Sequence, residues 1–167
     1  GITLALKILL KQWGGKHEPH DTPDALGREI ISEMLEPTRI YVNPLLKAAE
    51  TAQIKATVHI TGDAYLKFNN LARFSPGIGF EFNNFKPQPI FSLIQKTALE
   101  LGLTVTDEEM FKTFNMGWGF AVIVDKTDID KAMNALEKTG AEPEQIGKVT
   151  SKQKIAIHYK NKKIILA

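Results

Sequence analysis

Residues 110–124 read MFKTFNMGWGFAVIV, and how this stretch is parsed decides the architecture. It joins a short helix to a strand through a polar, glycine-rich turn. Just upstream, Thr106 and Glu109 stand at capping-box spacing, with Val105 and Met110 placed to pack as the accompanying hydrophobic staple. The helix needs an exit, and Asn115 and Gly117 supply it, because both residue types tolerate the left-handed conformation that closes helices. Residues 120–124 are wholly apolar and mostly β-branched or aromatic, which predicts a short strand covered on both faces. Residues 114–119 are therefore expected at the edge of a rigid core, where two glycines expose backbone N–H groups beside one amide side chain. A glycine near a helix end is equally well explained as a simple cap, so spacing alone leaves both readings open.

A second strand–turn–helix lies upstream. Residues 57–60 (TVHI) read as a strand, Thr61-Gly62-Asp63-Ala64 as its turn, and Tyr65, Leu66, Leu71 and Phe74 as the apolar positions of a helix. Helix starts present free N–H groups and favour anions, which draws attention to Thr61 and Gly62. Asp63 as an N-cap accounts for the same pattern. His59 reads either as a packed, hydrogen-bonded strand histidine or as a catalyst.

The remaining segments fill in around these two. Leu4, Leu6, Ile8, Leu9 and Leu10 make a short helix that is apolar on most sides, hence buried, and Trp13-Gly14-Gly15 ends it. His17 and His20, with Glu18 and Asp21, have a spacing compatible with a metal, but regular structure positions no third ligand and a surface loop explains them, so no metal site is assigned. Thr22-Pro23-Asp24 starts a helix carrying Leu26, Ile30 and Met34. Glu36-Pro37-Thr38-Arg39 breaks it, Ile40-Tyr41-Val42 is extended, and Asn43-Pro44 opens a third helix. Residues 79–82 are a short strand, and Ile90 through Leu101 is an amphipathic helix closed by Gly102. Thr127-Asp128 caps another helix, with Ile129, Met133 and Leu136 on its inner face and Gly140 at its end. Residues 145–149 form a strand, and alternation from Ile155 to Tyr159, a turn at Asn161-Lys162 and residues 164–166 make a closing hairpin. Interleaved elements followed by a meander predict an α+β domain with a mixed sheet and helices over it.

Bulk properties exclude several classes. The 167 residues fit one domain, with 43% hydrophobic and 24% charged residues. A net charge of +2 with no basic block argues against a nucleic-acid or anionic-membrane partner. No apolar run reaches the length of a membrane span, and no signal peptide is visible. With no cysteine, disulfides, thiolate metal sites and a cysteine nucleophile are all excluded. These features suit the cytoplasm. The chain starts at Gly1 already inside an apolar helical pattern, which reads as a fragment of something longer.

Four stretches, in order and over nearly the whole chain, resemble one family. MLEPTRIYV (34–42), ATVHITG (56–62), EMFKTFNMGWG (109–119) and EQIGKV (144–149) are similar to signature segments of phosphoribosylformylglycinamidine cyclo-ligase, also called aminoimidazole ribonucleotide synthetase. The resemblance implies that residues 1–167 are the single C-terminal domain of such an enzyme, with the N-terminal ATP-binding half absent from this chain. It implies a three-layer α/β/α fold with a mixed, partly ferredoxin-like sheet. It implies ATP-dependent ring closure in purine biosynthesis, converting formylglycinamidine ribonucleotide to aminoimidazole ribonucleotide. ATP phosphorylates the formyl oxygen, the amidine nitrogen attacks the activated carbon, and phosphate leaves. ATP and Mg²⁺ would be held mainly by the N-terminal half. A homodimer is implied, with no nucleic-acid or membrane partner.

The same resemblance assigns roles. His59 would shuttle the proton lost on cyclisation, and Asn115, which both donates and accepts, would suit an amidine. Arg39 offers a fixed fork to a phosphate, with a structural ion pair as its other reading. Thr61, Gly62, Asp63, Met116, Gly117 and Gly119 would contact substrate, the turn N–H groups holding a phosphate or the formyl oxygen. There is one departure: Asp63 and Ala64 stand where the family has glycines, placing a negative charge near any bound anion. A non-catalytic binding or dimerisation module, favoured by that altered turn, is one alternative. Another ATP-dependent small-metabolite enzyme of the same superfamily is the other, disfavoured by the EPTR and FNMG stretches.

Overall fold

In the computed structural model, which describes residues 1–166, strand pairing sorts the chain into two sheets. β1 (Ile54–His59) and β3 (Phe120–Val124) form an antiparallel ribbon that opposes His59 to Phe120 and Thr57 to Val122. β2 (Gly79–Phe82), β4 (Gly147–Thr150), β5 (Ile155–Tyr159) and β6 (Lys162–Ile165) form a second sheet in the order β4-β2-β5-β6. Its β2–β5 pairing is parallel and its other two are antiparallel, so this sheet is mixed. The α+β class and a mixed sheet agree with the sequence pattern; the division into two sheets has no counterpart in it. β2 starts at Gly79 because nothing larger fits: a Cβ there would lie 1.7 Å from the Lys152 carbonyl oxygen.

Aromatic residues tie the layers together. The 3-10 helix Ala64–Arg73 contributes Tyr65 and Phe68, β2 contributes Phe82, α5 (Asp107–Thr113) contributes Phe111, and β5 contributes Tyr159. Ring centroids are 4.7 Å apart for Phe68–Phe82, 5.7 Å for Tyr65–Phe111 and 5.2 Å for Phe111–Tyr159. Most of these contacts are edge-to-face, the arrangement the ring quadrupoles prefer, each worth about 0.5–1.5 kcal/mol beyond burial. α1 (Ile2–Leu9) and α4 (Pro89–Glu100) pack together and add Ile8, Leu9, Ile94 and Ala98 to the core. α3 (Val42–Thr51) lies against α6 (Ile129–Glu137), and the residues these two bury are small: Ala48, Ala132 and Ala135.

Several elements differ from their sequence patterns for identifiable reasons. α2 is only Ile30–Met34. The start expected at Thr22-Pro23 is a single closed turn, with the Leu26 and Gly27 N–H groups both bonding to the Pro23 carbonyl, before Gly27 takes φ +65°. On α6 the alanines are buried, while Met133 and Leu136 are half-exposed. Asp128 does not cap it; its carboxylate accepts from the Gln53 N–H at 3.0 Å and from Lys131 Nζ at 2.9 Å. The closing hairpin turns at Lys160 and Asn161, both with positive φ, one residue before the expected position. No helix among the described residues is long and apolar enough to cross a membrane.

Candidate functional site

The capping box forms at the expected residues. The Glu109 N–H donates to Thr106 Oγ1 at 3.2 Å and the Thr106 N–H to the Glu109 carboxylate at 2.7 Å. That backbone bond, first among several, holds the Glu109 carboxyl below its ordinary range. α5 then leaves through extended Phe114 and a turn whose left-handed residues are Met116 (φ +50°) and Gly117 (φ +106°). Asn115, expected in that conformation, does not adopt it. It organises the turn instead: its Oδ1 accepts the Gly117 N–H at 3.1 Å, and its carbonyl accepts the Trp118 N–H at 3.2 Å and the Tyr65 hydroxyl at 2.8 Å. Burial pushes the Tyr65 phenol far above its usual range, so it stays a donor. Met116, expected at the substrate, is only 1% exposed and packs in the core.

The ribbon's register brings the two turns together. β1 ends at His59 and β3 begins at Phe120, and these two residues are paired, so the turn at 61–64 and the turn at 115–119 sit at the same end of one ribbon. An open cleft of about 1380 Å³ lies there, and Arg39, His59, Thr61, Asn115, Gly117 and Gly119 all line it. Gly62 and Asp63 belong to the same turn as Thr61 but are not on the cleft wall. β3, expected to be covered on both faces, buries only Ala121 and leaves its other residues half-exposed, because its ribbon has no third strand among the described residues and borders this cleft.

The expected anion cradle is narrower than the sequence suggested. The Thr61 N–H is bound to the His59 carbonyl at 3.0 Å, and the Gly117 N–H to Asn115. Gly62 and Gly119 retain turn N–H groups that bond to no other described residue. Asp63 takes φ +63° and Ala64 φ +40°, and the Asp63 side chain makes no cap bond to the helix that follows.

The cleft's charges are largely paired. Arg39 meets Glu142 at 2.9 Å with both side chains exposed, Lys86 meets Glu144 at 2.9 Å, and Lys148 meets Glu81 at 3.4 Å. Lys86 and Asn84 hydrogen-bond the Glu144 carboxylate and hold its pKa low. Two residues not singled out from the sequence belong to this region. Lys67 donates to the Thr61 hydroxyl and, at 3.1 Å, to the His59 carbonyl. Its partners lie six and eight residues upstream across a turn, and no local spacing marks that contact. Tyr41 is the other: its ring lies 4.9 Å from Phe120 and 5.5 Å from His59.

The N-terminal histidine pair divides between separate partners. His17 faces Asp21 at 3.7 Å and His20 faces Glu29 at 3.2 Å. Among the described residues no three or more His, Asp or Glu converge on a point.

These features define an α+β domain in which two backbone turns, met at one end of an antiparallel ribbon, edge an open cleft. The profile of the family described as "AIR synthase related protein, C-terminal domain" matches residues 5–160. The phosphoribosylformylglycinamidine cyclo-ligase of Methanopyrus kandleri is 34% identical over 160 residues, which is 95% of this chain and 42% of that protein. The protein of the same name from Bacillus pumilus is 36% identical, over 89% of this chain and 41% of its own length. That from Myxococcus xanthus is 38% identical, over 92% and 43%. The chain belongs to the AIR synthase related C-terminal domain family, and it spans about two fifths of the length of the curated relatives it matches.

Proposed function

We propose that this domain is the substrate-holding part of an ATP-dependent cyclo-ligase that closes the imidazole ring of aminoimidazole ribonucleotide from formylglycinamidine ribonucleotide. The supporting observation is the shared end of the ribbon, which sets Arg39, His59 and Asn115, drawn from three separate signature segments, on one cleft. Asn115 spends its Oδ1 on the Gly117 N–H, so its Nδ2 is the group it can turn to substrate, as a donor to the formyl oxygen. Arg39 exchanges an exposed carboxylate for a substrate phosphate at little cost, since exposed pairs are worth about 0–1 kcal/mol. His59 stands exposed at the cleft as the proton acceptor. Gly119, on the cleft wall and with its N–H bonded to no other described residue, supplies a backbone donor.

ATP and Mg²⁺ belong to this reading through an N-terminal portion like the one present in the longer relatives. The described residues of this chain converge on no cation cage of their own, and the roles given to Arg39, His59 and Asn115 do not pass through the metal. A cytoplasmic homodimer, and a three-layer α/β/α arrangement with a partly ferredoxin-like sheet, are parts of the same proposal. The half-open face of the β1–β3 ribbon is where a further layer would lie.

The test is reconstitution. The chain, co-expressed with the N-terminal portion of a cyclo-ligase, is expected to form the ring from ATP and formylglycinamidine ribonucleotide. Asn115→Asp keeps the acceptor for Gly117 and removes the donor, and should lower kcat by roughly 10²–10³-fold. Absence of turnover with every N-terminal partner tried would instead support a non-catalytic module.

A further inference from the structure

The segment 36–41 crosses the cleft rim without pairing to any strand, yet it carries Arg39. Its exposed side chains do not anchor it: Ile40 is 83% exposed, and Arg39 holds only its surface pair with Glu142. Tyr41 does. Its ring is tilted over Phe120 with centroids 4.9 Å apart and stands edge-on to His59 at 5.5 Å, and His59 and Phe120 are themselves paired across the ribbon. The hydroxyl end sits over Gly119, where a Cβ would lie 2.0 Å from Tyr41 Oη and 3.1 Å from Cζ. A Cβ at 119 would force the Tyr41 ring out of this seat, so the glycine at 119 and the position of the tyrosine at 41 are matched to each other. Gly119 has no positive φ, unlike Gly117, so backbone conformation is not the reason for its lack of a side chain.

We infer that Tyr41 is a positioning residue. Seated in the notch left by Gly119, it holds the His59 ring and the Arg39-bearing segment against the ribbon end. One side chain thereby locks three signature segments into a single arrangement. The relevance to ring closure rests on the proposed cyclo-ligase reading; the seat itself does not.

The test uses this chain and needs no turnover. The Cε1–H resonances of its four histidines, 17, 20, 59 and 158, are followed by NMR and that of His59 assigned with His59→Gln. Tyr41→Phe retains the ring and should leave the His59 resonance in place, whereas Tyr41→Ala should displace it without moving the other three. Gly119→Ala should displace it too and lower Tm by roughly 3–8 °C, as overpacking does. In the Tyr41→Phe background that loss should shrink at least by half, since the oxygen it collides with is gone. A His59 resonance unmoved by Tyr41→Ala, or a Gly119→Ala penalty undiminished by Tyr41→Phe, overturns the inference. If Gly119→Ala does not fold, the comparison of Tyr41→Ala with Tyr41→Phe decides alone. Reconstitution that yields no turnover overturns the cyclo-ligase reading and leaves these results standing, so the two failures are distinguishable.

Discussion

Asp63 and Ala64 place side chains in a backbone conformation that suits glycine. Both hold left-handed φ, +63° and +40°, at places where the resembling segment carries glycines. For a residue with a Cβ that conformation costs about 1 kcal/mol, somewhat less for aspartate. Asp63 is exposed and caps nothing, so Asp63→Gly should raise stability by about 0.5–1 kcal/mol, measured as a higher midpoint in urea with unchanged slope. Ala64 is fully buried, so its replacement by glycine loses packing as well as strain and is not expected to gain. The carboxylate of Asp63 was the sequence's argument against an anion at this turn. It stands off the cleft wall, and so does Gly62, which leaves Thr61 as the residue of this turn that reaches the cleft.

Among the elements, α5 is the one whose sequence signal was complete. Thr106 and Glu109 are three apart, their mutual bonds need no distant partner, and the helix formed where they placed it. Thr106→Ala should cost about 1 kcal/mol, read by denaturant melting. The same bonds give the box a pH dependence of defined sign. Glu109 is held below its ordinary value of 4.5, so its contribution is complete above that value and is lost as the pH falls through the lowered one. Stability followed from pH 6 down to about 3 should therefore fall less steeply in Glu109→Gln than in the unaltered chain. Elsewhere local signals competed. Proline at 23 and apolar spacing from Leu26 promised a long second helix, but Gly27 can turn left-handed and does, and propensity lost to that freedom. At the helix exit the sequence offered two left-handed candidates, Asn115 and Gly117. Asn115 found better use for its amide in bonding the Gly117 N–H, and Met116 took the strained conformation because its side chain fills the core.

At the scale of the molecule, what the sequence could not show is pairing between distant segments. Residues 120–124 have the composition of a buried strand, yet the number of neighbours a strand acquires is set by segments far away, and β3 acquired only β1. The parallel contact of β2 with β5 spans more than seventy residues and carries no local mark. The convergence of the signature segments is a consequence of such pairing, which is why the motifs marked candidate residues and only the register of β1 against β3 brings the turns that carry Thr61 and Asn115 to one end of the ribbon. The assembled cleft also has an electrostatic character that no single motif reveals. Its cations Arg39, Lys86 and Lys148 each meet a carboxylate, and Glu33 and Glu36 line it besides Glu142 and Glu144. Glu33 and Glu36 both pair with Arg28, so a triphosphate would have to displace several ion pairs at once, with no cation cage among the described residues to offset the carboxylates it freed. A single phosphate need displace only the exposed Glu142 from Arg39. The chain alone should therefore bind ATP·Mg weakly, with Kd above about 1 mM, which corresponds to less than about 4 kcal/mol. Isothermal calorimetry checks this directly. A micromolar Kd would show that this domain carries a nucleotide site of its own, and would count against assigning ATP to an N-terminal partner.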